Sequence, residues 1–206
     1  MASKTYNGID VSHHNGLIRW NEVKTDFAII RAGYGKSQHQ KDRKFEYNYS
    51  GCIANNIPCG AYWYSYATSV EEAREEAKAF LTVIKGKKFS YPVYYDVEEE
   101  RTLSCGKEKV SEIISAFCEE VEKAGYFVGV YMSSSALTSY VTEEVRNRYS
   151  IWVAHWGVKN PSYEGTYGIW QFSEKGAVKG INGDVDLDKS YRNFPSVMLK
   201  NHLNGY

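Results

Sequence analysis

Two carboxylates two residues apart, Asp96 and Glu98, close the run Tyr94-Tyr95-Asp96-Val97-Glu98. On an extended strand, residues two apart face the same side, so these carboxyls are held close together. Neighbouring carboxyls resist losing both protons, and one keeps its proton to a higher pH. A protonated carboxyl beside an ionised one suits glycosidic cleavage. The acid protonates the leaving oxygen, and the partner stabilises positive charge at the anomeric carbon. Asp10, near the end of an early β-rich run, and Asp186, in a late one, are the further acidic candidates. No histidine stands at ligand spacing from the Asp96–Glu98 pair. The adjacent His13 and His14 are poorly placed to share one ion, so no metal is expected and the chemistry needs no cofactor. Gly35-Lys36-Ser37 looks like the end of a phosphate loop, but Ile30 stands where the first glycine is required. Ser133-Ser134-Ser135 lacks the setting of a serine nucleophile and reads as a helix cap.

The elements that must carry these groups alternate in type. Tyr6–Val11, Phe27–Arg31, Gly60–Tyr66, Pro92–Val97 and Phe127–Met132 read as strands. Between them lie amphipathic helices. One begins at Ser69, with Glu72 at capping-box spacing, and runs through Val70, Ala73, Ala77, Phe80, Leu81 and Ile84 to Gly86. Another carries Val110, Ile113, Ile114, Phe117 and Val121 up to Gly125, and an earlier one covers roughly 42–56. Such alternation implies parallel strands joined by crossovers. The last third adds strands at Ile151–Ala154, Gly168–Phe172 and Val185–Leu187, with no helical period between them. The fold class is therefore α/β: a single-domain, modified TIM-like barrel of eight strands with about five helices and a thin side. The alternative is an open doubly wound sheet, which the missing glycine-rich turn after the first strand disfavours. In a β/α barrel the strand ends carry the chemistry. Besides the acids, those ends present Arg31, Tyr62, Tyr64, Tyr94, Tyr131, His155, Trp170 and Gln171.

Composition narrows the partner. Lys plus Arg and Asp plus Glu each number 25 in 206 residues, and a neutral chain lacks the basic surface that phosphate backbones require. No stretch is apolar enough to insert in a membrane. The 18 tyrosines and 5 tryptophans supply rings on which sugars can stack, although core and strand packing accounts for most of them. The four cysteines form no metal motif, Cys118 reads as a buried thiol on a helix, and a disulfide is left open. Residues 1–5 read as an extension without the apolar core of a signal peptide, and residues 6–206 as one catalytic domain, monomeric.

Taken in order, Gly8-Ile9-Asp10-Val11-Ser12, Ala28-Ile29-Ile30-Arg31-Ala32, Gly60-Ala61-Tyr62 and Tyr94-Tyr95-Asp96-Val97-Glu98 resemble the motifs of glycoside hydrolase family 25. Ile151-Trp152-Val153-Ala154, Trp170-Gln171-Phe172 and Gly183-Asp184-Val185-Asp186 continue the match, which spans about residues 6–194. The resemblance implies a lysozyme that cuts the β-1,4 bond between N-acetylmuramic acid and N-acetylglucosamine. Its partner would be peptidoglycan glycan strands, and it would be secreted or released to the cell wall. It also implies roles: Glu98 as general acid, Asp96 orienting the acetamido group or stabilising an oxazolinium-like intermediate, and Asp10 and Asp186 completing an acidic cluster. Tyr62, Tyr64, Tyr94, Tyr131, Trp152, Trp170 and Gln171 would contact sugar. Two positions expected at the mouth depart from the family pattern: Trp63-Tyr64 where His-Phe is frequent, and His155 where tyrosine is common. The alternatives are a hydrolase of another acetamido sugar polymer, such as chitin, and a catalytically silent glycan-binding module. The tail from Met198 reads as an ordinary terminal segment.

Overall fold

The computed structural model describes residues 4–206, so three of the five residues assigned to the N-terminal extension lie outside it. The strands are β1 (Tyr6–Val11), β2 (Phe27–Tyr34), β3 (Cys59–Tyr64), β4 (Val93–Asp96), β5 (Val128–Ser133), β6 (Ser150–Ala154), β7 (Ile169–Gly176) and β8 (Val185–Ser190). They close into one barrel in sequence order. Strand alternation explains its layers. On β2, Ala28 and Ile30 face outward while Phe27 and Ile29 face the interior. The interior is filled by Phe27, Tyr91, Tyr94, Trp152 and Ile169, so the barrel is a packed core with a shallow polar mouth.

Parallel pairing holds from β1 to β7, as the alternation predicts. The final strand departs from it, because β8 runs antiparallel to both β7 and β1. Only residues 177–184 join β7 to β8. A parallel return needs a dozen residues or more, so this connection can only turn back. The start of β8 therefore lies at the mouth where the other strands end.

The helices number seven among the described residues, against about five expected. They are α1 (Phe45–Ala54), α2 (Val70–Ile84), α3 (Glu100–Leu103), α4 (Lys107–Lys123), α5 (Ser134–Tyr140), α6 (Glu143–Arg148) and α7 (Phe194–Asn201). The excess comes from short segments such as α3 and α6, too brief to show a hydrophobic period. Ser69 caps α2 as expected. Glu72 does not complete the box, because its carboxylate accepts from the Thr68 N–H and from Lys36. The first helix starts later than expected because Asp42 is spent elsewhere, accepting from the His13 N–H and ring and from the Lys44 N–H. Ser133 caps α5. The four cysteines are free, and Cys118 is buried as expected.

The terminal segment does more than end the chain. α7 drives Phe194 and Met198 against Phe27 and Tyr91, sealing the barrel floor. Asn204, fully buried, donates from Nδ2 to the Tyr91 carbonyl at 2.8 Å and accepts at Oδ1 from the Phe127 N–H at 2.7 Å. It thereby ties down the approaches to β4 and β5.

Candidate active site

At the mouth, a cavity of about 190 Å³ is lined by Asp10, Tyr62, Asp96, Glu98, Tyr131, Trp152, Trp156, Gln171, Glu174 and Asp186. All four acids expected at the site meet there. β4 ends at Asp96, but the Val97 N–H still donates to the Tyr131 carbonyl at 3.1 Å. The strand pleat thus continues past the end of β4, and Glu98 keeps the inward side. Asp96 is buried, whereas Glu98 is exposed at the rim. Asp96 Oδ1 is buried with no hydrogen-bond partner.

Asp10 and Asp186 stand directly opposite each other in the β1–β8 register, the consequence of the inverted last strand. Gln171 Nε2 donates to Asp10 Oδ2 at 2.7 Å. Gln171 Oε1 in turn accepts from the Tyr131 hydroxyl at 2.8 Å and from Trp156 Nε1 at 2.9 Å. Below them lies Asp188, a carboxyl that the sequence reading did not select. It is fully buried, accepts from Trp152 Nε1 at 2.8 Å and shares a hydrogen bond with Asp10. Its position two residues after Asp186 on one strand was the available signal, by the same periodicity that pairs Asp96 with Glu98.

Crowding of these acids sets their protonation. Burial, then the charge of Glu98, pushes Asp96 well above the usual carboxylate range, while the Arg31 guanidinium pulls it back. Loss of water around the Glu98 carboxyl raises it also, Arg31 again opposing, with Glu99 and Asp186 adding to the rise. Burial and the charges of Asp188 and Asp186 push Asp10 well up, against the pull of the Gln171 hydrogen bond. Asp186 is raised to about 6 by burial and the Glu174 charge, and Asp188 to about 8, mainly by burial. Arg31 balances this group of acids from between the rings of Tyr34 and Tyr64, 5.2 Å from each centroid. A cluster that retains protons near neutrality can donate one to a leaving oxygen.

The expected aromatic contacts divide. Tyr62, Tyr131, Trp152 and Gln171 line the cavity. Tyr64 sits toward the rim and donates to Glu99 Oε2 at 2.8 Å. Tyr94 points inward, but it is fully buried in the barrel interior, 5.2 Å from the Trp152 ring. Trp170 faces outward into the helix-side core, with Nε1 bonded to the His155 carbonyl. Trp63, expected at the mouth, also faces outward. It packs 5.6 Å from Phe80 and donates to the Gly35 carbonyl, because it alternates with the inward Tyr62. Trp156 and Glu174, both lining the cavity, were missed. The first lies on an irregular loop and the second near the bulged end of β7, where periodicity carries no signal.

Residues 9–181 match the sequence profile described as glycosyl hydrolases family 25. The chain is 31% identical over 196 residues to "Uncharacterized protein YegX" of Escherichia coli K12, covering 91% of this chain and 70% of that protein. Its structure is similar to the CTP1L endolysin, with a TM-score of 0.84 and 26% identity over 95% of this chain and 70% of that one. It is also similar to the bacterial lysozyme from Streptomyces coelicolor, with a TM-score of 0.79 and 28% identity over 91% and 93% of the two chains.

Proposed function

The chain belongs to glycosyl hydrolases family 25, and from that premise we propose that it is a muramidase cutting the β-1,4 bond between N-acetylmuramic acid and N-acetylglucosamine. The observation that carries this reading is the pairing of a buried Asp96 with a rim-exposed Glu98 in one polar cavity beside Asp10 and Asp186. In the proposed reaction Glu98 is the general acid. It stands where an incoming glycosidic oxygen is reached from solvent, and its raised pKa keeps a proton available. Asp96 Oδ1, free of protein donors, accepts from the acetamido N–H of the bound sugar or stabilises an oxazolinium-like intermediate. Asp10 and Asp186 complete the acidic cluster beside the anomeric carbon. Tyr62, Tyr131 and Trp152 form the apolar floor under the sugar. Residues 6–206 act as one catalytic domain, whose substrate is the glycan strand of the cell wall.

The test is mass spectrometry of purified bacterial peptidoglycan digested by the wild type and by Glu98→Gln. New reducing ends at muramic acid, reduced at least about a hundredfold in the variant, are the expected result. Reducing ends at N-acetylglucosamine, or release of chito-oligosaccharides alone, would move the activity to another bond or polymer. Unchanged turnover in a folded Glu98→Gln protein would remove Glu98 as the acid.

A further inference from the structure

Trp156 combines two properties that seldom occur together. The residue is 45% exposed, yet its Nε1 is pinned at 2.9 Å to Gln171 Oε1. Gln171 is itself buried and held by Tyr131 and Asp10. The indole is thus an exposed apolar plate fixed in orientation by the hydrogen-bond chain that reaches a site carboxylate. Such a plate loses little conformational entropy when a ligand lands on it.

The plate lines two cavities. One is the carboxylate cavity of about 190 Å³. The other, of about 400 Å³, is walled by Ser133, Ser135, Ala154, His155 and Ser162 as well as Trp156. The Ser162 N–H donates to His155 Nδ1 at 3.0 Å, so the neutral imidazole carries its proton on Nε2 and can donate there. Serine hydroxyls supply both donors and acceptors, and Ala154 leaves room. Among the described residues no Lys, Arg, Asp or Glu lines this second cavity. Neutral donors and acceptors around an aromatic face match a neutral pyranose with an acetamido group, not a phosphate or a peptide carboxylate.

We propose that Trp156 is a sugar-stacking wall between two subsites, and that the Ser133–His155 cavity takes the acetamido sugar next along the same glycan strand to the one held over the carboxylates. This rests on the muramidase reading above. Trp156 here contributes to substrate binding and takes no part in proton transfer.

Binding is measured by calorimetry in the Glu98→Gln background, so that ligands survive. The probes are peptide-free tetrasaccharide and disaccharide of alternating N-acetylglucosamine and N-acetylmuramic acid. The tetrasaccharide is expected to bind about tenfold tighter or more, the range for an aromatic anchor. Trp156→Ala should abolish that advantage, while Trp156→Phe, which keeps a ring but not the Gln171 bond, should retain most of it. Ser135→Tyr fills the second cavity from its exposed side without touching Gln171, and should abolish the advantage as well. Equal affinities for the two sugars in the parent, or an advantage that survives both Trp156→Ala and Ser135→Tyr, would overturn the subsite. Wild-type cleavage of whole peptidoglycan, run in parallel, separates the two claims. Cleavage without a tetrasaccharide advantage rejects the subsite alone. The absence of both cleavage and binding rejects the muramidase reading and the subsite with it.

Discussion

Asp188→Asn isolates the cost of burying a carboxyl beneath the site. Asp188 is fully buried, one oxygen accepts from Trp152 Nε1 at 2.8 Å, and Oδ2 has no donor facing it. The protonated acid accepts from the indole on one oxygen and keeps its own proton on the oxygen that no donor faces. Its folded pKa is raised to about 8 from an ordinary 3.8, chiefly by burial. The sign follows from linkage. Between those two values the unfolded chain has released the proton that the fold retains, so stability falls as pH rises through that window and levels off above it. At about 1.4 kcal/mol per unit the ceiling is roughly 6 kcal/mol. Sharing of protons with Asp10 and Asp186 leaves about 2–3 kcal/mol recoverable by one substitution. Asparagine reproduces the neutral acid, its amide oxygen accepting from Trp152 and its Nδ2 standing in for the protonated oxygen. The variant and the wild type should therefore unfold together in urea near pH 4, followed by tryptophan fluorescence. By about pH 9 the variant should be more stable by ~2–3 kcal/mol, with an unchanged denaturant slope. A stability difference that does not change with pH, or a variant weaker at high pH, would show that Asp188 is ionised in the fold and refute the argument.

Two further substitutions probe the charge balance and the floor. Arg31 holds both Asp96 and Glu98 down, so Arg31→Gln should let them keep protons longer. The alkaline limb of kcat against pH should then move upward, and a fixed or lowered limb would exclude Arg31 as the balancing charge. Asn204→Ala strips partners from the Tyr91 carbonyl and the Phe127 N–H, and should cost about 2–4 kcal/mol in thermal or urea unfolding. A loss within error of zero would mean that the tail is not what seals the barrel.

The sequence disclosed what periodicity and strand-end position can disclose. Glu98 and Asp96 were legible because a two-residue spacing on a strand fixes a shared face, and α2 because Val70 to Ile84 repeat at helical spacing. Asp188 was equally legible by the Asp96–Glu98 rule. Trp63, Tyr94 and Trp170 show the limit. Each is an aromatic residue on a strand that feeds the site, but which face it takes, and how deep it lies, depends on register. Trp63 and Trp170 fall on the outward parity, and Tyr94 sits one layer too low. Trp156 lies in the helix-free connection 155–168, where no period exists to place a side chain.

The direction of β8 is the deeper case, because the site depends on it and no residue pattern encodes it. Val185 to Leu187 reads as a strand either way. In an all-parallel barrel the start of that strand would lie at the floor, and Asp186 would be a barrel's length from Asp10. The eight residues at 177–184 are too few for a crossover, so β8 turns back, and Asp186 and Asp188 come to face Asp10 and Gly8. Loop length, a quantity present in the sequence, thus decides where two carboxylates go. The same short hairpin raises the electrostatic cost of the fold, since Asp10, Asp186 and Asp188 now crowd one seam and their pKa values rise together. That crowding, opposed chiefly by the Gln171 and Trp152 hydrogen bonds, is why the mouth can hold protons near neutrality, which an acid-catalysed cleavage requires.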